Sequence, residues 1–383
     1  MRKFPTKYAL ICMTLGVFAA AGCTGGFSSS LAPPQSQSVA PSTMVDRDTS
    51  RDATPDSDPS ILNMLTKKTT IGSTVDPLNG DQNPYGLDIA KVSAGAFKAG
   101  DLAVCNFNDA ANVQGNGTTV IALHPQPGST PRRVAQDHSL QGCTEIALAP
   151  SDAIWASAFV ANDNPIVSPS GAVITTLPGG PFHGPFGQVF APKPTPFGNA
   201  SFYESNAGDG SIVRINITNS GFTFDVIAKG FAVNGGAPGS ILGPSGLQYD
   251  AKHDRLYIVD GANNTVVTFR HVSTIPAGGI TVNGMGFDGP FANRATVLFS
   301  GAPLNGPISS ALFEDGHLIV GNTLDGNGQN LMVELNSAGK ELAVKNVDRG
   351  AAGALFGMIA VNGSDRKLYF NDDNDNTVKV LSH

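Results

Sequence analysis

The 383-residue sequence is poor in charge. Asp, Glu, Lys and Arg make up 14% of it, against roughly a quarter in ordinary soluble domains. Bases are the scarcer sign, with 24 Lys and Arg against 31 Asp and Glu. Setting aside Arg2, Lys3 and Lys7 near the start takes the formal charge from −7 to −10, so no basic footprint for nucleic acid exists. Stretches suited to long helices are also lacking: Gly 45 and Pro 26 make 71 of 383 residues, which excludes an all-α fold and favours many tight turns. There is no Gly-x-Ser-x-Gly elbow, no Walker loop, no His-Glu-x-x-His and no Cys-x-x-Cys, so serine hydrolase, nucleotide and structural-zinc chemistry have no motif to rest on. What remains is 41% hydrophobic residues, enough for a real core.

The start of the chain reads as an address. Residues 1–22 form an export signal: three cations, then an apolar run from Tyr8 to Gly22, shorter than the roughly 20 residues that cross a bilayer. The run ends Ala20-Ala21-Gly22-Cys23, which resembles the bacterial lipobox. That resemblance implies diacylglycerol on Cys23, and Thr24 after it implies sorting to the outer membrane in a Gram-negative cell. Residues 23–60 then read as the lipidated Cys and a disordered tether of Ser, Thr, Pro, Gln, Gly and Asp, too polar to offset the entropy of ordering. The acids Asp46, Asp48, Asp52, Asp56 and Asp58 are read as solvated spacer charges.

From residue 61 to 383, short apolar strands alternate with Gly/Asn/Asp/Pro turns, and one pattern recurs six times. Its second strand reads Leu102–Asn106, Ile154–Ala158, Phe202–Asn206, Leu256–Asp260, Leu318–Asn322 and Leu368–Asp372, five of the six ending in Asn or Asp. A period near fifty residues holds four strands and their turns. First strands open at Pro84, Gly142, Pro185, Pro244, Pro307 and Leu355, and paired outer strands follow. The last unit stops after a third strand, Thr377 to Ser382, leaving a vacancy that Leu65 to Ile71 is expected to fill. The expectation is an all-β, six-bladed β-propeller of four-stranded antiparallel blades, its ring closed by an N-terminal strand.

Pro-x-Gly-Leu followed by Leu256-Tyr-Ile-Val-Asp260 and Asn263-Asn264-Thr265-Val266 resembles the NHL-repeat family across roughly residues 61–383, and six blades is what that resemblance implies. The gluconolactonase and regucalcin propellers are more distantly similar. They imply a divalent ion held by Glu, Asn and Asp at the channel mouth, with Asp260 matching the aspartate. In place of their first-blade Glu-Gly-Pro, however, stands Asn83-Pro84-Tyr85-Gly86. Streptogramin lyases are similar in the Tyr85-Gly86-Leu87 opening, but no catalytic residue carries over from them.

In a propeller, the turns after second strands and the loops before first strands open on one face, around the axial channel. Asn83, Asn106, His183, Asn206, Asp260, Asn322 and Asp372 are therefore the candidate ligand-binding residues, with Asp137, His138 and Asn305 nearby. Asn and Asp at strand ends also cap turns through their own backbone. The run Asn371–Asn376 is dense in hard oxygen donors and reads either as a repeat turn or as a calcium loop. Cys105 and Cys143 lie toward one face of adjacent blades, a pairing expected of an oxidising compartment. Two longer connections, Gly230 to Gly243 and Ser273 to Asn293, are expected to reach the channel face and the opposite face. The composite expectation is a monomeric, exported, lipid-anchored binding or scaffolding module for protein or carbohydrate at the cell envelope. It needs no cofactor beyond an optional calcium ion. A metal-dependent lactonase-like enzyme is the alternative.

Overall fold

The computed structural model describes residues 58–177, 179–326 and 328–383. The export signal, Cys23 and the tether up to residue 57 lie outside the described residues. From residue 58 onward the chain forms six sheets, each with a core of four antiparallel strands, arranged as a six-bladed propeller; blade three is extended by a hairpin whose strand Ile280–Asn283 pairs in parallel with Gly221–Lys229. In chain order the first strands of the blades are Gln82–Ile89, Cys143–Leu148, Pro185–Ala191, Pro244–Asp250, Pro307–Leu312 and Leu355–Val361.

The second strands are apolar almost throughout because neighbouring blades pack against both of their faces. Leu102–Asn108 is buried at every position. Six buried apolar clusters follow, one between each pair of consecutive blades, such as Leu87, Val104, Ile121, Tyr369 and Val380 between blades one and six. A seventh lies on the axis: Tyr85, Phe107, Phe186, Ile241, Ile308 and Phe356.

Every first strand carries a bulge at the same place. Glycine occupies it in four blades because the backbone of the next blade is in the way. A Cβ on Gly187 would lie 2.0 Å from the Ser245 carbonyl oxygen, and one on Gly357 would lie 2.3 Å from that of Tyr85. By strand register the two exceptions are Glu145 in blade two and Ser309 in blade five.

Ring closure uses Lys67–Ser73, which pairs antiparallel with Thr377–Ser382 as the fourth strand of blade six. That is two residues beyond the expected stretch, because Leu65 is drawn instead into the apolar cluster of blades five and six with Ile61 and Leu62. The short helix Ile61–Met64 ahead of it is pinned by the buried carboxylate of Glu334. This group accepts from the Ser60 hydroxyl and from the backbone N–H of Ile61 (2.8 Å) and Leu62 (2.9 Å). Asp58, read as a spacer acid, instead reaches His317 Nε2 at 3.0 Å.

The second correction concerns Ser273 to Asn293. Part of this insertion folds as a hairpin, Ile280–Asn283 with Gly286–Asp288, which adds two strands to the outer edge of blade three and makes a six-stranded sheet. Arg214 holds it there. Its fully buried guanidinium pairs with Asp225 at 2.6 Å, stacks over Phe197, and donates to the carbonyls of Val272, Ser273 and Ile275. The insertion covers a sheet edge that would otherwise present unpaired backbone groups.

Candidate functional site: the mouth of the axial channel

The residues just before the bulge position of each first strand, Tyr85, Thr144, Phe186, Ser245, Ile308 and Phe356, surround the axis. Three of the six are aromatic: Tyr85, Phe186 and Phe356. Tyr85 stacks on Phe356 with centroids 3.7 Å apart and on Phe107 at 4.3 Å. With Ile308 they plug the channel and form the floor of a cup of about 310 Å³, at the small end of ligand-sized cavities.

The loop Gly230 to Gly243 reaches the channel face, and its Ser240, Ile241 and Leu242 form one wall of the cup. Asn234 makes this loop rigid. Its side-chain oxygen accepts from the N–H of Gly236 and Leu242 while its amide nitrogen donates to the Ser240 carbonyl. The rim adds Gln114, Thr323, Leu324, Asn83 and Asp373.

Two of these rim groups have unused acceptors. Asn83 is 2% exposed and held in the left-handed backbone region, its N–H donating to Asn376 Oδ1. Its own side-chain oxygen is buried with no partner, which is costly unless something donates to it. Asp373 receives no hydrogen bond from the described residues, and burial, then the neighbouring Asp372, push its carboxyl up to about 6.

Most of the other sequence candidates at this face spend polar atoms on the surrounding loops and strands, although the side-chain oxygen of Asn106 is also buried without a partner. Asn106 donates to the Thr74 carbonyl and Thr119 Oγ1. Asn206 donates to the Pro181 carbonyl and Ser211 Oγ and accepts from the N–H of His183. Asn322 ties Pro303, Asp325 and Asn305 together. Asp260 folds back on its own turn, accepting from the N–H groups of Ala262 and Asn263 and from Asn263 Nδ2. His183 is well exposed, 3.9 Å from Asp209. Asp372 pairs with Lys379, whose ammonium also meets Asp375 at 2.8 Å and Asp348 at 3.8 Å. In the Asn371–Asn376 run a lysine thus stands among the acids where a cation would have to sit.

The metal set implied by the lactonase resemblance does not fit. Asp260 is committed to its turn, the channel floor is aromatic, and among the described residues no group of three or more His, Cys, Asp or Glu side chains is arranged to hold a metal ion.

Below the aromatic plug a second opening is lined by Asp88, Lys91, Glu145, Gln188 and Gln248. Glu145 is half-buried at this opening, and burial pushes its carboxyl up to about 8 against hydrogen bonds from the N–H of Ile146 and Leu87. Glu204, fully buried behind it, accepts from Gln188 and Asn164 and is driven well above the carboxylate range by burial, with Glu145 adding to the effect.

The aromatic floor, Asn83 as an unpaired acceptor, Asp373 and Glu145 were not singled out as a set by the sequence. For Glu145 a signal was present, since it replaces the glycine of the repeat.

Cys105 and Cys143 form a disulfide with Cα atoms 6.0 Å apart, closing a loop of 38 residues that joins blades one and two.

No family model and no curated protein matches the chain. Solved structures do resemble it in shape. A gluconolactonase from Xanthomonas campestris superposes with a TM-score of 0.53 at 10% identity, covering 79% of this chain and 87% of that one. A protein assigned to the gluconolactonases gives 0.51 at 12%, covering 83% and 92%. Virginiamycin B lyase from Staphylococcus aureus gives 0.48 at 14%, covering 82% and 98%. At these identities the likeness extends to the six-bladed propeller and no further.

Proposed function

We propose that this protein is an exported binding module, built on NHL-like repeats and anchored at the cell envelope through lipid on Cys23, that recognises its partner at the channel mouth. The observation that carries the reading is the cup itself: a preformed cavity with an aromatic floor, walled by a self-stapled loop, with the Asp373 carboxylate at its rim used by no protein group. Sites of this kind, mostly apolar with a few placed polar groups, are how rigid folds take ligands. Apolar surface continues outward, with Leu324 53%, Val113 48% and Val233 37% exposed on loops of the same face. The lactonase alternative has one carboxylate in the cup and no ligand set to work with. Support for the envelope comes from the lipobox-like Cys23 and from a cysteine pair suited to an oxidising compartment.

The test places a photo-crosslinking residue at Leu324 or at Asn362, on the opposite face, in the producing bacterium. Adducts confined to position 324, and reduced by Ile241→Glu, support recognition at the mouth; equal labelling at both positions refutes it. Loss of palmitate labelling in Cys23→Ser tests the anchor separately.

A further inference from the structure

The channel-mouth cup has a chemical bias beyond being apolar. Its floor is made of aromatic rings and Ile308, its walls mix Ile241, Leu242 and Leu324 with Gln114, Ser240 and Thr323, and its one charged group is the Asp373 carboxylate, which receives no hydrogen bond from the described residues. No Lys, Arg or His lines it. A group entering this space satisfies Asp373 only by bringing a donor of its own, and a carboxylate at the rim favours a donor that is positively charged, since hydrogen bonds to charged partners are stronger than neutral ones.

The geometry points to a small amphiphilic ammonium compound as the occupant: an aromatic or branched aliphatic body seated over the floor of Tyr85, Phe186 and Phe356, with its amine at the rim on Asp373. This rests on the channel mouth being the binding site and adds the class of ligand. The size agrees, because a cavity of about 310 Å³ holds one ring with a short chain.

The experiment uses three probes of one shape and different charge, namely 2-phenylethylamine, 2-phenylethanol and phenylacetate. They are titrated against the purified full-length protein by ligand-observed NMR and calorimetry. The expected order is amine, then alcohol about tenfold weaker, as one charged hydrogen bond implies, with the acid not bound. Asp373→Asn, a near-isosteric change at the rim, removes the difference between amine and alcohol while leaving alcohol binding in place. Titration from pH 8 to pH 5 does the same in the unmodified protein. Asp372, hydrogen-bonded to Lys379 among Asp348 and Asp375, is the charged neighbour that acts on Asp373, and the same titration of Asp373→Asn separates its contribution: a pH dependence of the amine preference that persists there is not that of Asp373. Amine and alcohol binding equally, with both lost in Phe356→Ala, overturns the ammonium assignment and leaves the mouth as the site. An amine preference that survives Asp373→Asn overturns it as well. No binding by any probe overturns both.

Discussion

The ring of Tyr85 lies on that of Phe356, 3.7 Å between centroids and 17° between planes, so the first and last blades of the propeller are joined on the axis as well as at the edge. Phe107 stacks on the other face of Tyr85, which makes Tyr85 the centre of the plug. Tyr85→Ala is expected to cost about 3–5 kcal/mol, the usual range for emptying a buried aromatic site, and to open the upper cup into the lower channel. Urea unfolding reads the first effect. Loss of binding of a ring-sized apolar probe reads the second.

Reduction of the Cys105–Cys143 bond, whose loop spans 38 residues, is expected to lower stability by about 4 kcal/mol in the chain-entropy account. Cys105→Ala/Cys143→Ala should unfold at lower urea, with a slope no smaller than that of the oxidised protein because the unlinked denatured chain exposes more surface. A double variant as stable as the oxidised protein removes the bond from the list of what holds blades one and two together.

Glu145 and Glu204 should make the protein less stable as the medium becomes more basic. Both carboxyls titrate higher in the fold than in the unfolded chain. The protonated form is therefore the one the fold favours, and its contribution is complete below about pH 4.5 and lost as pH rises through about 8. His317, raised first by its bond to Glu334, has the same sign. Below pH 4 the acids held low by hydrogen bonds, Asp109 and Asp137 among them, act in the opposite sense, leaving a mildly acidic optimum. Glu145→Gln/Glu204→Gln should flatten the profile between pH 5 and 8 and raise the midpoint at pH 8; an unchanged profile would mean the two carboxyls are ionised in the fold without penalty.

Glu334 is the anchor of the N-terminal clasp. It is fully buried, and although burial raises it, the bonds from His317, Ser60, Leu62 and Ile61 hold its carboxyl below the usual range. Glu334→Ala leaves the N–H groups of Ile61 and Leu62 without partners, at about 1–3 kcal/mol each. Amide exchange over residues 67–73 is expected to quicken before the rest of the domain, since that strand closes the ring. Uniform exchange across all six blades would show that closure does not depend on the clasp.

Much of the architecture was legible in the chain because a propeller repeats one local solution. Each second strand is a short apolar run ended by Asn or Asp, and each first strand needs glycine where the next blade's backbone crosses. The count of six and the strand-swapped closure follow from that periodicity, with closure two residues off because Leu65 was wanted by a core that no local pattern reveals. The candidate site was less legible. Repetition placed Asn106, Asn206, Asp260, Asn322 and Asp372 at the channel face but could not say that Asp260 bonds back to its own turn while the other four are tied to neighbouring loops and strands.

The sequence by itself determined the blades, their number, the likeness of the turns and the nearness of Cys105 to Cys143, all consequences of short-range alternation and turn chemistry. Only the tertiary structure decided which side chains meet on the axis. Tyr85, Phe186 and Phe356 come from three distant repeats, and Asp373 stands one residue beyond the repeat's own turn acid. Whether a polar atom there finds a partner depends on neighbours some three hundred residues away in the chain. The side-chain oxygen of Asn83 and the Asp373 carboxylate are left unpaired because they reach the channel mouth from opposite ends of the chain, where the neighbouring loops direct their own donors elsewhere.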